Sequence, residues 1–271
     1  MSTNNLSVWE TVNLPSNKKF NACFNGCSLT YGKGLTEKIR KQCNYPGLVA
    51  EEYNFNLTNI SISGSSNYTI FMRSTEAILS GKYDIIFTQW SALNRHWLSP
   101  GPDTYFFLND ENHNDFKYRD FYLSPKETLT FKKTFLVMNH DYQNIFDLVD
   151  YCKNLKALAD YKSTKIVFIN GLVPWKDDLI TSTVNNLETD LSDYTKSILD
   201  FDNRDDEEIV LYFNKLKQKF SELDQARWVN LFESFHHNII DVNSDGHHPG
   251  IKSHALMADK ISTYLTTNQI L

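Results

Sequence analysis

No stretch of this sequence is apolar for long enough to cross a bilayer, a task that takes about 20 residues in a helix. The opening residues, "MSTNNLSVWETVNLPSNKK", are polar. They lack the charged start and apolar middle of a secretory signal, so a cytoplasmic location is expected. Basic residues are in the minority: 27 Lys and Arg stand against 33 Asp and Glu, a formal net charge of -6. Without a basic excess there is no electrostatic footprint for nucleic acid, and no nucleic-acid partner is expected. Lys38, Arg40 and Lys41 form a short basic run and read as a solvated helix face. Cysteine is scarce. Cys23, Cys27, Cys43 and Cys152 form no C-x-x-C pair, and no His or Cys stands beside them at zinc-finger spacing. Free thiols fit the cytoplasm, and sequons at Asn56, Asn59 and Asn67 carry little meaning without export. Internal repeats and low-complexity linkers are also missing.

What remains is an alternation. Residues 20–26, 56–64, 84–90, 164–171 and 238–242 read as strands. "DIIFTQW" (84–90) is nearly continuous in apolar residues, as a strand covered on both faces should be. Between the strands lie helical patterns at 66–80, 141–160 and 251–265. At 271 residues, with 41% hydrophobic and 22% charged, the chain is long enough and ordinary enough for a sizeable soluble core. The expected fold is α/β: a three-layer α/β/α sandwich of flavodoxin-like type, with a central parallel sheet of about five strands. One domain is expected over 1–271, with long insertions at about 98–140 and 172–235 near the binding face.

In such sheets ligands bind at the carboxyl ends of the strands, so the polar residues after each strand are the candidates. After the first strand come Gly26, Cys27 and Ser28; after the second, Gly64, Ser65, Ser66 and Asn67. After the third come Gln89, Ser91 and Asn94, and after the last "NSDGHHPGIKSH". A serine hydroxyl needs a base, a group to orient the base, and N–H donors for the oxyanion. Ser28 is the candidate nucleophile, His248 the base in a turn shaped by Pro249 and Gly250, and Asp245 the acceptor for its Nδ1–H. Ser28 N–H and Gly64 N–H are candidate oxyanion donors, with the Asn67 or Asn94 amide as a third. His247 is a minor alternative base, and His254 reads as a helix-face residue. His236 and His237 lack an acidic or cysteine partner at ligand spacing, so no metal is expected.

The blocks "GCSLTYGKGL", "SGSSN" and "DGHHPG", each after a predicted strand, resemble in their order the first, second and last blocks of the SGNH, or GDSL-like, hydrolases. The last matches the D-x-x-H-P pattern that supplies the catalytic Asp and His in that superfamily. Two departures stand out. Cys27 occupies the place of the acidic residue in GDSL, and "TQWSALNRHW" replaces the usual G-x-N-D of the third block. It is similar to a divergent branch in which W-S or W-T followed by Arg occupies the site. The third oxyanion donor therefore stays open between Asn67 and Asn94.

The resemblance implies a cofactor-free serine esterase acting on an O-acetyl or other small acyl ester through an acyl-enzyme. Two rivals share the site: an O-acyltransferase that passes the acyl group to a glycan or small-molecule hydroxyl, and a non-catalytic carbohydrate- or partner-binding module. Arg95 and Trp97 are the expected substrate-binding residues; Tyr105, Phe106 and Phe107 are further aromatic candidates for a cleft. The oligomeric state is not legible in the sequence.

Overall fold

A parallel sheet needs strands whose side chains are apolar on both faces, and four segments of the chain supply them. In the computed structural model, the described residues are 10–12, 20–92, 96–101, 104–108, 141–171, 215, 218–229, 231 and 233–270. The main sheet contains β1 (Glu10–Val12), β2 (Asn21–Asn25), β3 (Asn56–Asn59) and β4 (Ile85–Trp90). A hairpin follows, made of β5 (His96–Gly101) and β6 (Thr104–Leu108), and then the last sheet strand, β7 (Lys165–Asn170). The sheet order is β1-β3-β2-β4-β7. β3, β2, β4 and β7 run parallel, and β1 lies antiparallel on the β3 edge. The fold is thus α/β, as the alternation implies, with four parallel strands where about five were expected and one antiparallel edge strand.

Parallel neighbours need crossovers, and the helices provide them. α1 (Ser28–Tyr31), α2 (Glu37–Cys43) and α3 (Tyr45–Glu52) lead from β2 to β3. α4 (Asn67–Leu79) leads from β3 to β4, α5 (Asp141–Tyr161) precedes β7, and α6 (Ile251–Thr267) closes the chain. Two helices start on side-chain caps that satisfy first-turn N–H groups: Asn44 accepts from Gly47 N, and Ser66 accepts from Thr69 N.

The strands divide their side chains between two cores with a period of two. Cys23, Ile86, Ile166 and Phe168 pack with Ile70, Ala77 and Ile78 of α4 and Leu148, Val149 and Leu155 of α5. Phe24, Phe87, Val167 and Ile169 pack with Val49 of α3 and Met257, Ala258 and Ile261 of α6. Phe24 and Phe87 stack across β2 and β4 with centroids 4.2 Å apart and planes 9° from parallel. Each such ring contributes about 1.5–3 kcal/mol through burial alone. A core on each face of the sheet makes the three layers.

One expected strand is absent. Residues 238–242 begin in a 3-10 turn (Phe235–Asn238), and Val242 makes only an isolated bridge with Pro249. The backbone groups a strand would need are committed to the start of α6. Ile240 N and Asp241 N donate to Ser253 Oγ, while the Asp241 carboxylate accepts from Lys252 N and Ser253 N. Ile240 and Val242 accordingly point to solvent, 64% and 55% exposed. The short apolar run there belongs to a helix anchor, not a sheet.

Candidate active site

Chain order in the sheet reverses at β2: α1–α3 carry the chain to β3 on one side, and α4 returns it to β4 on the other. The carboxyl ends of β2 and β4 therefore flank a switch point, where open α/β sheets hold ligands. Ser28 stands there, buried, as the first residue of the one-turn helix α1. Among the described residues its hydroxyl makes no hydrogen bond. Its carbonyl accepts from Gly32 N and Lys33 N at 3.0 Å, and Gly32 closes the turn at φ +78°. Such a short helix is unstable alone, so neighbours must hold it. Asn59 Nδ2, at the end of β3, donates to Thr30 O at 3.0 Å. Thr30 Oγ1 donates inward to Gln89 Oε1 of β4 at 2.5 Å.

The second half of the site is the turn at 243–250. Asp245 Oδ2 lies 2.7 Å from His248 Nδ1. Asp245 Oδ1 accepts from His248 N at 2.9 Å and from His247 N at 3.0 Å. Those two backbone N–H groups, first that of His248, hold the carboxyl down at about 2. Asp245 is thus ionised at neutral pH, able to fix the imidazole tautomer and to stabilise an imidazolium. Asn243 closes the turn by donating from its backbone to His248 O at 2.8 Å and from its amide to Pro249 O.

The two halves touch through the loop after α1. Asn243 Nδ2 donates to Lys33 O at 3.3 Å. Gly34, at φ +89°, lies so close that an added Cβ would stand 2.8 Å from Asp245 Oδ2. A side chain there would strain the backbone and press on the carboxylate. Asp245 and His248 are therefore bonded to each other, and their turn abuts the loop that follows Ser28. Ser28 and His248 share no hydrogen bond among the described residues. His247 contributes its backbone N–H, and its side chain is exposed.

The oxyanion candidates differ in their placement. Gly64 has φ +85° in the turn between β3 and α4, and its neighbour Ser66 takes the helix cap. Asn67 is not the cap. Its Oδ1 accepts from Ser91 N at 2.7 Å, and its Nδ2 reaches Ser91 O at 3.3 Å and Ala92 O at 3.4 Å. The amide clamps the start of α4 to the end of β4. Asn94 and Arg95 lie outside the described residues. Trp97 lies in β5, paired in register with Phe107 of β6. His237 Nδ1 lies 2.6 Å from Ser234 Oγ, and the described residues hold no group of three side chains suited to a metal ion.

Sequence reasoning gave no role to Gln89, Thr30, Asn59 or Asn243. For Gln89 a signal was present: a glutamine inside an otherwise apolar, doubly covered strand must find partners in the core. Asn59 bonds Thr30 and Thr30 bonds Gln89 across distant segments, and Asn243 combines its own turn with Lys33, so no local pattern marks the three.

No family model matches the chain, and no curated protein matches it. Among solved structures it is similar to TesA, at 11% identity and a TM-score of 0.46, with 92% of this chain and 99% of that chain covered. It is also similar to a lipolytic protein of the G-D-S-L family from Desulfitobacterium hafniense DCB-2, at 10% identity and a TM-score of 0.42, with 90% and 99% covered. A third is the acetyl xylan esterase AlAXEase, at 13% identity and a TM-score of 0.44, with 90% and 98% covered.

Proposed function

We propose that the protein is a serine ester hydrolase of SGNH type, read as one domain over 1–271 and acting on a small acyl ester. The observation that carries this reading is the Asp245–His248 pair. It is bonded at 2.7 Å and its turn is stitched to the loop that follows Ser28 at the switch point of the sheet. Ser28 Oγ attacks the acyl carbonyl while His248 Nε2 takes its proton, and the Asp245 carboxylate stabilises the imidazolium that forms. Ser28 N–H and Gly64 N–H face the developing oxyanion. The tetrahedral intermediate expels the alcohol, protonated by His248, and leaves an acyl-Ser28 ester. Water, deprotonated by the same imidazole, then releases the acid.

Asn67 braces this site through its clamp on Ser91, which leaves Asn94 as the proposed third donor. Arg95 and Trp97 on that segment are the proposed substrate contacts. The four cysteines are free, which suits a reducing compartment. The test is turnover of p-nitrophenyl acetate with labelling by a fluorophosphonate probe. Ser28→Ala is expected to lower kcat by about a thousandfold or more and to abolish labelling. Wild-type turnover in that variant overturns the assignment. Adding a glycan acceptor and measuring the ratio of transfer to hydrolysis separates an acyltransferase from a hydrolase.

A further inference from the structure

Beneath Ser28 lies a hydrogen-bonded chain that the three-residue mechanism does not use. Gln89 is wholly buried at the end of β4. Its Nε2 donates to Trp90 O at 2.9 Å and approaches Cys27 Sγ at 3.4 Å. Its Oε1 accepts from Thr30 Oγ1. Trp90 O can only accept, so the amide must face it with nitrogen, and Oε1 is thereby turned toward Thr30. The Thr30 hydroxyl has one proton and spends it on Gln89. Tyr45 Oη, 2.7 Å from Thr30 Oγ1, must then donate to it. Every proton in the chain has one direction. Two glycines make room for it. A Cβ on Gly26 would overlap Thr30 Oγ1, and one on Gly171 would overlap Gln89 Nε2. The residues on both sides of Ser28, Cys27 and Thr30, are thus tied to one side-chain amide. The Cys27 cap position offers α1 no side-chain hydrogen bond of its own.

We infer that Gln89 and Thr30 are positioning residues that hold the Ser28 turn in its reactive place, acting from the core side where neither touches substrate. This rests on Ser28 being the nucleophile. A one-turn helix held at one end by Asn59 and at Thr30 by Gln89 has a defined Oγ position; without Gln89 the turn loses its tie to β4 and keeps Asn59, Tyr45 and Asn44. Misplacing a nucleophile by about 1 Å costs up to about 100-fold in rate, so the effect belongs in kcat more than in KM.

Thr30→Val keeps the side-chain shape and removes the hydroxyl. It is expected to lower kcat on p-nitrophenyl acetate by about tenfold or more with KM within about twofold, and to slow fluorophosphonate labelling in proportion. Thr30→Ser restores the hydroxyl and most of the rate. Tyr45→Phe, one bond further out, gives a smaller loss than Thr30→Val. Amide hydrogen exchange over residues 28–31 is expected to quicken in Thr30→Val while exchange in β4 and β7 stays as in the wild type. If Thr30→Val does not fold, Gln89→Met carries the same measurements. Wild-type kcat in Thr30→Val, or a loss in Thr30→Ser as large as in Thr30→Val, overturns the positioning role. Absence of Ser28-dependent labelling in the wild type overturns the hydrolase reading instead. In that case the exchange experiment alone judges the brace, and unchanged exchange over 28–31 refutes it.

Discussion

The Ser28 turn and the His248 turn sit at the same edge of the sheet and are built in opposite ways. Ser28 is buried, and its turn is held from outside by side chains of β3 and β4. The His248 turn is solvent-facing and held chiefly by itself, with Asp245 and Asn243 accounting for most of its hydrogen bonds. A short helix has no internal means of fixing its first residue, so a nucleophile placed there depends on the core. A turn built around one carboxylate carries its own fixing groups and depends on the core very little.

The largest expected effect tests this contrast directly. Asp245→Asn removes the acceptor that orients His248 and is expected to lower kcat by about a thousandfold or more while leaving the thermal midpoint almost unmoved. A large fall in the midpoint would show that the turn is part of the core after all. Gln89→Leu should behave the other way round. It removes the acceptor of the Thr30 hydroxyl and one donor to the Trp90 carbonyl, leaving them Tyr45 Oη and Gly171 N, and is expected to cost about 1–3 kcal/mol of stability, read by denaturant unfolding. Gly26→Ala drives a methyl group into Thr30 Oγ1 and Gln89 and is expected to cost about 1–3 kcal/mol.

A pH titration separates the two regions again. Burial, only partly offset by the Asp241 carboxylate, pushes the His254 imidazole down to about 4. The unfolded chain binds that proton near 6.5, so stability is full above that pH. It falls as the pH drops towards 4, by an amount on the order of 3 kcal/mol. His254→Phe should flatten this slope in equilibrium unfolding between pH 6.5 and 4, and an unchanged slope would refute the assignment. Asp245 acts lower. Its carboxyl is depressed, so its contribution is present above the ordinary carboxylate range and is lost only as the pH falls through about 2. The smallest effect is expected for His247→Ala. Its side chain is exposed and its backbone N–H remains, so kcat should stay within about twofold.

The strands at 84–90 and 164–171 were legible because burial on both faces leaves an apolar run that no other short element needs. The same cue misled at 238–242. There a short apolar run is present, yet Ser253 and Asp241 take the backbone groups, and that bonding reaches across the loop to a helix start. Ser28 was legible as a serine placed directly after a strand, whereas Asp245 and His248 stood out by their D-x-x-H spacing, since the segment before them is not a strand. Asn67 was legible as polar and local to a helix start, but its partner Ser91 lies 24 residues on, so its bracing role was not.

The sequence by itself determined the α/β class and the two-faced strands, since these follow from composition and local periodicity. Only the tertiary structure decided that β2 and β4 are neighbours, that the Asp245 turn abuts Gly34, and that Gln89 points beneath Ser28. Those facts depend on strand order and register, which bring together groups tens to hundreds of residues apart, and no local pattern encodes that distance.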